Sequence, residues 1–516
     1  MTNVGFCTPH PPIQNLGARS APPVKIFCAG LSSILLTLAY PVFNLEFLAF
    51  VAFVPLFFAI KDVSAGKAFL LAYLTGIFFW LGTIYWIIHV SLLGLILLVL
   101  YLALYFGIFG ILFRLLTIDY ELWTIVIPAV WIFLEFLRSR LLTGFPWALL
   151  GYSQYLNLPI IQIADIFGVW GVSFLVMLVN VAVWKIILRV RIQDTGYRIQ
   201  KYFITSILVT ILSIIFVLVY GFYKLNLSPE PRTLNPVKIS IIQGSIPQYQ
   251  KWDENFRDSI LERYETFTRD AAKDKPDLII WPETAVPGVI GEEPELLGRI
   301  LKLAKDVKTP ILVGTVTAAG VPVPQRASAP VTGYYNSAIL ISSDGKVLQQ
   351  YDKLHLVPFG EYVPLERYFP FLRDLIGVPI GDFTAGKEYT VFSAPVPQCP
   401  SAPVKFAVLI CFEDIIPELS HKFVKNGAQF LVNITNDAWF MHSSAPYQHA
   451  QASVFRAVEN RVPVVRAANT GVSCFIDQYG RVYDKVSDGK KDIFVIGYKT
   501  NKVVPRGLLS GRCLFR

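Results

Sequence analysis

The chain has 516 residues, 54% of them hydrophobic and 16% charged, against about 25% charged in soluble domains, which excludes a wholly water-soluble protein. Its net charge of +9 does not indicate nucleic acid, because in the first half Lys and Arg sit between hydrophobic segments, where they orient a chain in a bilayer. Six cysteines (Cys7, Cys28, Cys399, Cys411, Cys474, Cys513) show no CxxC or His-pair spacing, so neither a metal site nor a disulfide framework is supported, although one bridge from Cys399 to Cys474 or Cys513 stays open.

Residues 1–22, polar and carrying Pro9, Pro11, Pro12 and Pro22, read as a disordered tail. Apolar segments follow at about 25–41, 45–60, 67–91, 92–116, 121–137, 168–190 and 203–223, each near the length of a spanning helix, so residues 23–224 are expected to form a membrane domain of about seven helices. The first has the apolar core of a signal peptide, but its leading segment is long and no small-x-small cleavage site follows. With the N-terminus inside, the inside segments hold Arg19, Lys25, Lys61, Lys67, Arg114, Lys185, Arg189, Arg191, Arg198 and Lys201, and the outside loops chiefly Arg138, Arg140 and Lys224. An odd number of spans then places everything after Lys224 on the extracytoplasmic side. Between spans, Gly144-Phe-Pro-Trp147-Ala-Leu-Leu-Gly151-Tyr-Ser-Gln154 is too broken to cross. It reads either as an aromatic belt at the lipid interface or as a lipid-facing floor beneath an active site.

A proline-containing linker (225–236) leads to a domain at 237–500 in which strand and helix signals alternate. Strands are expected at Val237 to Gln243, Leu278 to Trp281, Ile311 to Thr315 and Phe430 to Ile434, and hairpins around Asp344-Gly345 and Asp477 to Gly480. Helices are expected at Asn255 to Lys273, Glu295 to Val307, Pro417 to Asn426 and Gln448 to Asn460, so the pattern is an α/β or α-β-β-α sandwich. Residues 501–516 are basic and read as a tail, possible company for a lipid surface.

Three strand ends carry reactive groups. Leu278-Ile-Ile-Trp281-Pro282-Glu283 ends on a carboxylate, Tyr351-Asp-Lys353 leads into a proline-bounded loop holding Glu361, and Phe406-Ala-Val-Leu-Ile-Cys411 ends on a thiol followed by Glu413 and Asp414. Taken singly, each has a bland explanation: a buried cysteine is usually core, and a glutamate and a lysine are usually a surface ion pair. Together they make an acyl-transfer site, in which a carboxylate takes the thiol proton and an ammonium favours the thiolate and then the developing oxyanion. Glu413 and Asp414 oppose a thiolate, so Lys353 is expected to outweigh them.

Trp281-Pro282-Glu283, Lys353-x-x-x-Val357-Pro358-Phe359-Gly360-Glu361 and Cys411-Phe412-Glu413 resemble, in order, the Glu, Lys and Cys motifs of the nitrilase (carbon-nitrogen hydrolase) superfamily. With a multi-span domain ahead of them, they are similar to the apolipoprotein N-acyltransferase branch. Gly144-Phe-Pro-Trp147, Gln243-Gly-Ser with Trp252, and Asn433-Ile-Thr-Asn436-Asp437-Ala-Trp439 carry the likeness further. The resemblance implies a cofactor-free, two-step reaction in a bacterial inner membrane, with the catalytic domain on the periplasmic side. A phospholipid acylates Cys411, and the α-amino group of a diacylglyceryl-cysteine on an apolipoprotein then takes the chain. It implies Glu283 as general base, Lys353 as oxyanion partner, Glu361 and Glu413 as supporting acids, and Trp252, Phe412 and Trp439 as substrate-binding residues.

Two departures stand out. Phe412 replaces a tyrosine common in the family and removes its hydroxyl, and the eighth span with which members commonly finish is replaced by a basic tail. A membrane-anchored amidohydrolase would use the same triad with water as acceptor. A transporter is disfavoured because no internal repeat is seen and Glu135 and Asp165 lie near span ends.

Overall fold

In a computed structural model, residues 22–116, 123–191, 197–226, 236–318, 333–364, 366, 368, 370, 382–395 and 403–507 are described. The tail at 1–21, most of the 225–236 linker, Cys7, Cys399 and Cys513 lie outside them. Cys28, Cys411 and Cys474 are free thiols.

Every apolar segment of the first half is helical. The helices are α1 (Pro22–Leu38), α2 (Val54–Ile60), α3 (Ala65–Ile84), α4 (Leu92–Leu116), α5 (Trp123–Arg138), α6 (Leu158–Ile161), α7 (Ala164–Arg191) and α8 (Tyr197–Asn226). Among the described residues four stretches, Ala65–His89, Leu92–Leu116, Ala164–Arg189 and Phe203–Asn226, are long and apolar enough to cross a bilayer, whereas Pro23–Leu38 and Glu46–Ile60 are apolar but shorter. The 45–60 segment is not one helix but a short 3-10 turn, Glu46–Phe50, followed by α2. Hydrocarbon supplies no water to the peptide groups freed at such a break. Asn180 of α7 serves them instead, its Oδ1 accepting from Phe53 N at 2.8 Å and its Nδ2 donating to Ala49 O at 2.8 Å. Close packing of α3 on α4 depends on Gly110, where an added Cβ would lie 2.5 Å from the Ala68 carbonyl oxygen.

The second domain has two facing sheets. The strands are β1 (Val237–Gln243), β2 (Leu278–Ile280), β3 (Val289–Ile290), β4 (Ile311–Ala318), β5 (Tyr334–Ile341), β6 (Val347–Asp352), β7 (Val391–Ala394), β8 (Val404–Ile410), β9 (Phe430–Thr435), β10 (Val464–Ala468), β11 (Cys474–Ile476), β12 (Val482–Lys485) and β13 (Gly497–Val503). Helices α9 (Arg257–Ala272), α10 (Pro294–Val307), α11 (Pro417–Lys425) and α12 (Ala445–Asn460) complete it. One sheet runs β13-β1-β2-β4-β5-β6 with β3 beside β4, and the other runs β12-β11-β10-β9-β8-β7. Their central strands read as unbroken apolar runs because both faces are covered. Leu278, Ile280 and Leu312 join β8 in the core between the sheets, while Ile279, Trp281 and Val313 pack with Leu261, Ile300 and Leu303 of α9 and α10.

The sheet outlasts the expected domain end at residue 500. β13 pairs antiparallel with β1 from Gln243↔Gly497 to Val237↔Val503. Arg506, assigned from the sequence to a basic tail, donates from its backbone N to Gln429 O at 2.9 Å and from Nη1 to Asn460 O at 2.9 Å.

Helix α12 joins the two domains. Gln448 accepts from Trp147 Nε1 at 2.8 Å and from Trp86 Nε1 at 3.1 Å, and donates to Thr83 O at 2.9 Å. Glu459 accepts from Val169 N at 2.9 Å, and Arg461 just beyond α12 donates to Asp165 at 2.9 Å. This placement corrects both readings of the 144–154 segment. Trp147 is 5% exposed and lies against Trp86 and His449, so it meets protein rather than lipid. Arg138, expected in an outside loop, is buried in the last turn of α5, where its Nη1 donates to Phe145 O and Trp147 O at 2.8 Å. Glu135 accepts from Leu150 N at 2.7 Å. Two buried charges thus hold the broken segment in shape by satisfying its backbone.

Candidate active site

Strand β8 delivers Cys411 into a tight turn with φ +52°, left-handed backbone that a non-glycine residue keeps only when its surroundings demand it. The Cys411 carbonyl oxygen accepts from Asn433 Nδ2 at 3.3 Å and lies 3.2 Å from His449 Nε2. Glu413 supplies a further constraint. One carboxylate oxygen accepts from Tyr351 Oη at 2.8 Å, Leu354 N at 2.7 Å and His355 N at 3.1 Å, and the other from Ile410 N at 2.8 Å. It therefore staples the Cys411 turn to the segment that begins at Lys353, fixing one reactive group against the other. Burial pushes its pKa up to about 7 despite these donors.

Glu283 follows β2 through a turn that lies across β4. Only glycine at position 314 allows this, since a Cβ there would stand 2.2 Å from Pro282 O and 2.7 Å from Glu283 Cα. One Glu283 oxygen accepts from Asn336 Nδ2 at 2.7 Å, the other from Asn436 N at 2.8 Å. Lys353 Nζ stands 2.8 Å from Glu361 Oε2 and 3.8 Å from Glu283 Oε1. Glu361 also accepts from Asn336 Nδ2 at 2.8 Å and from Val357 N at 2.7 Å. Asn336, on β5, went unnoticed in the sequence, yet it holds both carboxylates toward one ammonium. Glu361 engages one side of the Lys353 ammonium at 2.8 Å, and with three N–H donors the ammonium can still turn one to an incoming oxyanion.

The electrostatics follow from burial. Desolvation works against the Lys353 ammonium, but Glu361 and Glu283 outweigh it and hold its pKa well above the ordinary lysine value. Cys411 behaves oppositely. Burial and the Glu283 carboxylate push its pKa well up, Lys353 only partly offsets them, and Asp437 adds to the rise. Lys353, expected to outweigh Glu413 and Asp414, lowers the Cys411 pKa but does not outweigh burial and Glu283. The Glu413 and Asp414 carboxylates are consumed by other partners, and the resting cysteine is a thiol whose proton must leave as attack begins.

Behind Cys411 lies a buried charge box. His449 Nδ1 is 2.8 Å from Asp437 Oδ1, and Nε2 is 2.9 Å from Asp414 Oδ1 while aligned on the Cys411 carbonyl. Arg466 meets Asp414 at 3.0 Å and Asp437 at 3.2 Å. Burial disfavours the imidazolium, but the two aspartates outweigh burial and Arg466 and raise the His449 pKa to about 9. With acceptors at both ring nitrogens, His449 is doubly protonated at neutral pH.

Of the residues expected to bind substrate, Phe412 is 9% exposed and stacks on His355, so it packs the floor of the site. Trp252 and Trp439 stay 49% and 42% exposed. Trp252 has a buried neighbour that no motif in the sequence marks. Lys251 is 2% exposed and donates from Nζ to the Glu283 carbonyl oxygen at 3.0 Å. Burial lowers its pKa to about 8, against the opposing effects of Glu283 and Cys411.

Residues 32–182 match the apolipoprotein N-acyltransferase N-terminal domain, and residues 238–501 match carbon-nitrogen hydrolase. Among solved structures, Saccharomyces cerevisiae Nit3, a nitrilase-superfamily member, covers 54% of this chain and 93% of its own at 19% identity and a TM-score of 0.38. The apolipoprotein N-acyltransferase of Chlorobaculum tepidum is 31% identical, with 88% of this chain and 86% of that protein covered. That of Geobacter metallireducens is 41% identical, covering 88% of this chain and 85% of its own length, and on this evidence the chain belongs to the apolipoprotein N-acyltransferase family.

Proposed function

We propose that this chain transfers an acyl chain from a membrane phospholipid, through a thioester on Cys411, to the α-amino group of diacylglyceryl-cysteine on apolipoproteins. The observation that carries this reading is a strained, half-buried cysteine within electrostatic reach of Glu283 and Lys353, on a domain locked to a membrane domain through α12.

In the first half-reaction Cys411 Sγ attacks the ester carbonyl while its proton passes to Glu283. Lys353 meets the oxyanion, and Glu361, with Asn336, keeps Lys353 in place. Collapse breaks the ester C–O bond, and the lysophospholipid alkoxide leaves with the proton from Glu283. In the second, the amine attacks the thioester, Glu283 takes a proton from nitrogen, and the Cys411 thiolate leaves and recovers that proton. Both substrates carry chains worth about 0.8 kcal/mol per buried methylene, so the site has to reach the bilayer. Phe359, Trp439 and Met441, left 42–53% exposed on the loops that carry the site, supply an apolar rim for those chains.

Purified protein mixed with phospholipid should accumulate an acyl-enzyme that hydroxylamine cleaves. Cys411→Ser should not form it, and a diacylated lipopeptide rather than water should discharge it. Rapid discharge by water would make the protein a hydrolase instead.

A catalytic domain outside the cytoplasm is supported by the charge pattern of the sequence, with basic residues concentrated on the side of the N-terminus and all seven apolar segments taken to cross. A reporter active only in the cytoplasm, fused after Arg516, should be silent, and activity there would reverse the topology.

A further inference from the structure

Two buried lysines share the neighbourhood of Cys411, and their surroundings differ in kind. Lys353 stands between the carboxylates of Glu361 and Glu283 and is held as an ammonium. Among the described residues Lys251 Nζ has one polar partner, the neutral carbonyl oxygen of Glu283 at 3.0 Å, and no carboxylate at ion-pairing distance. An ammonium buried without a counter-ion loses its proton readily. Pairs of like groups whose environments drive them apart in this way mark a division between electrostatic and acid–base duties.

The acyl transfer proposed above, on which this inference rests, leaves one proton without an acceptor. An α-amino group is mostly protonated at neutral pH, with a pKa near 7.7–8.0, and an ammonium has no lone pair. It has to lose one proton before attack and a second as the amide forms. Glu283 takes the second and returns it to the leaving thiolate, so it cannot also hold the first.

We propose that Lys251 is the base that takes the first proton, converting the bound α-ammonium of the lipoprotein cysteine to the attacking amine. The Lys251 amine becomes an ammonium, the α-nitrogen gains its lone pair, and Lys251 later releases the proton to water, so charge and atoms balance over the cycle. Its anchor is the main chain of the residue whose carboxylate handles the other proton, which brings both acceptors to one site. The titratable groups that face it are Glu283 and Cys411. Once acylated, Cys411 cannot ionise, so no thiolate forms beside Lys251 to raise its pKa before the ammonium arrives. Trp252, 49% exposed, follows it directly, so this loop runs from the surface into the site. A lysine that only tied down the Glu283 carbonyl would serve both half-reactions alike.

The test uses the full chain in phospholipid with a synthetic diacylated lipopeptide. Thioester formation and its discharge are timed separately from pH 6.5 to 10, for wild type, Lys251→Met and Lys251→Arg. In both variants the ratio of discharge to acylation rate is expected to fall about 10-fold at pH 7, where about a tenth of an α-amine with a pKa near 7.7–8.0 is unprotonated in solution. It should recover above pH 9, where the peptide amine deprotonates in solution. Arginine keeps the hydrogen bond to Glu283 but cannot accept a proton, so its failure separates a base from a tether. A Lys251→Arg enzyme that discharges like wild type overturns the assignment, as does a loss shared equally by both half-reactions. A wild type that forms no thioester at all overturns the underlying acyl-transfer reading instead.

Discussion

Lys353→Met is expected to slow formation of the Cys411 thioester by about 100- to 1000-fold, the usual effect of removing one preorganised oxyanion partner. The loss has three sources. The tetrahedral oxyanion forfeits a cation that has N–H donors beyond the one facing Glu361. Glu283 and Glu361, which share Asn336 Nδ2 at 2.7 and 2.8 Å, are left facing each other without the charge between them, so one takes up a proton and the base is compromised. The thiol also becomes harder to ionise: Lys353 lowers the Cys411 pKa, so its removal lets that pKa rise further. Breaking a buried ion pair in this way also costs stability, about 3–5 kcal/mol. Two measurements separate these sources. The rate of hydroxylamine-sensitive acyl-enzyme formation reports all of them together, while the pH profile of Cys411 alkylation reports the third and should move to higher pH. Acylation within tenfold of wild type would remove Lys353 from the reaction, and an unmoved alkylation profile would confine it to the oxyanion.

Much of this site was legible in the sequence because its parts fall where apolar runs stop. β1 spans Val237–Gln243 as expected, and β2 and β8 deliver Glu283 and Cys411 at their ends, since an unbroken apolar run bounded by charge is a strand covered on both faces. What the sequence hid is held by contacts between distant residues. Asn336, the Glu413 staple and the His449 box depend on partners up to 62 positions away, and no local period announces such a neighbour. Lys251 stands beside an aromatic residue with no local pattern to mark it, and only its burial against Glu283 distinguishes it. The strands β7, β10 and β13 were missed for another reason. β7 is short and β13 is mostly polar at an edge, which weakens the alternating pattern, and β10 carries the buried Arg466 in its middle. The 144–154 segment was misread because Trp and Tyr serve lipid interfaces and protein interfaces equally well. The Gln448 contacts that decide between them come from the other domain.

Those contacts also say why the two domains work as one. Gln448 is clasped by Trp86 and Trp147, and the next residue, His449, packs against Trp147 while its ring holds the Cys411 carbonyl. The membrane domain therefore bears on the nucleophile turn through α12, and a catalytic domain cut free of it would expose this face of α12.

His449→Gln is expected to destabilise the protein by about 3–5 kcal/mol near neutral pH, because a buried charge network loses a member and Gln cannot donate from both ring positions. The pH dependence identifies the cause. The His449 pKa is raised to about 9 in the fold, against about 6.5 in an unfolded chain. A raised pKa contributes stability that is complete below the unfolded value and lost as pH climbs through the folded one. The wild-type advantage over His449→Gln should thus be full at pH 6, smaller at pH 8 and gone by about pH 9.5. Asp414 and Asp437 have lowered pKa values, held down by His449 and Arg466 against the penalty of burial. Their contribution is present above their unfolded values near 3.9 and is lost as pH falls through the folded ones, so the box is strongest between roughly pH 4 and 6.5. Thermal midpoints of the two proteins in detergent at pH 6, 8 and 9.5 measure the difference. Cys411 alkylation rates in the same samples report whether the strained turn relaxes once its carbonyl loses the imidazolium donor. A stability difference that stays constant from pH 6 to 9.5 would mean that His449 is neutral in the fold, and the box would then be held by Arg466 alone.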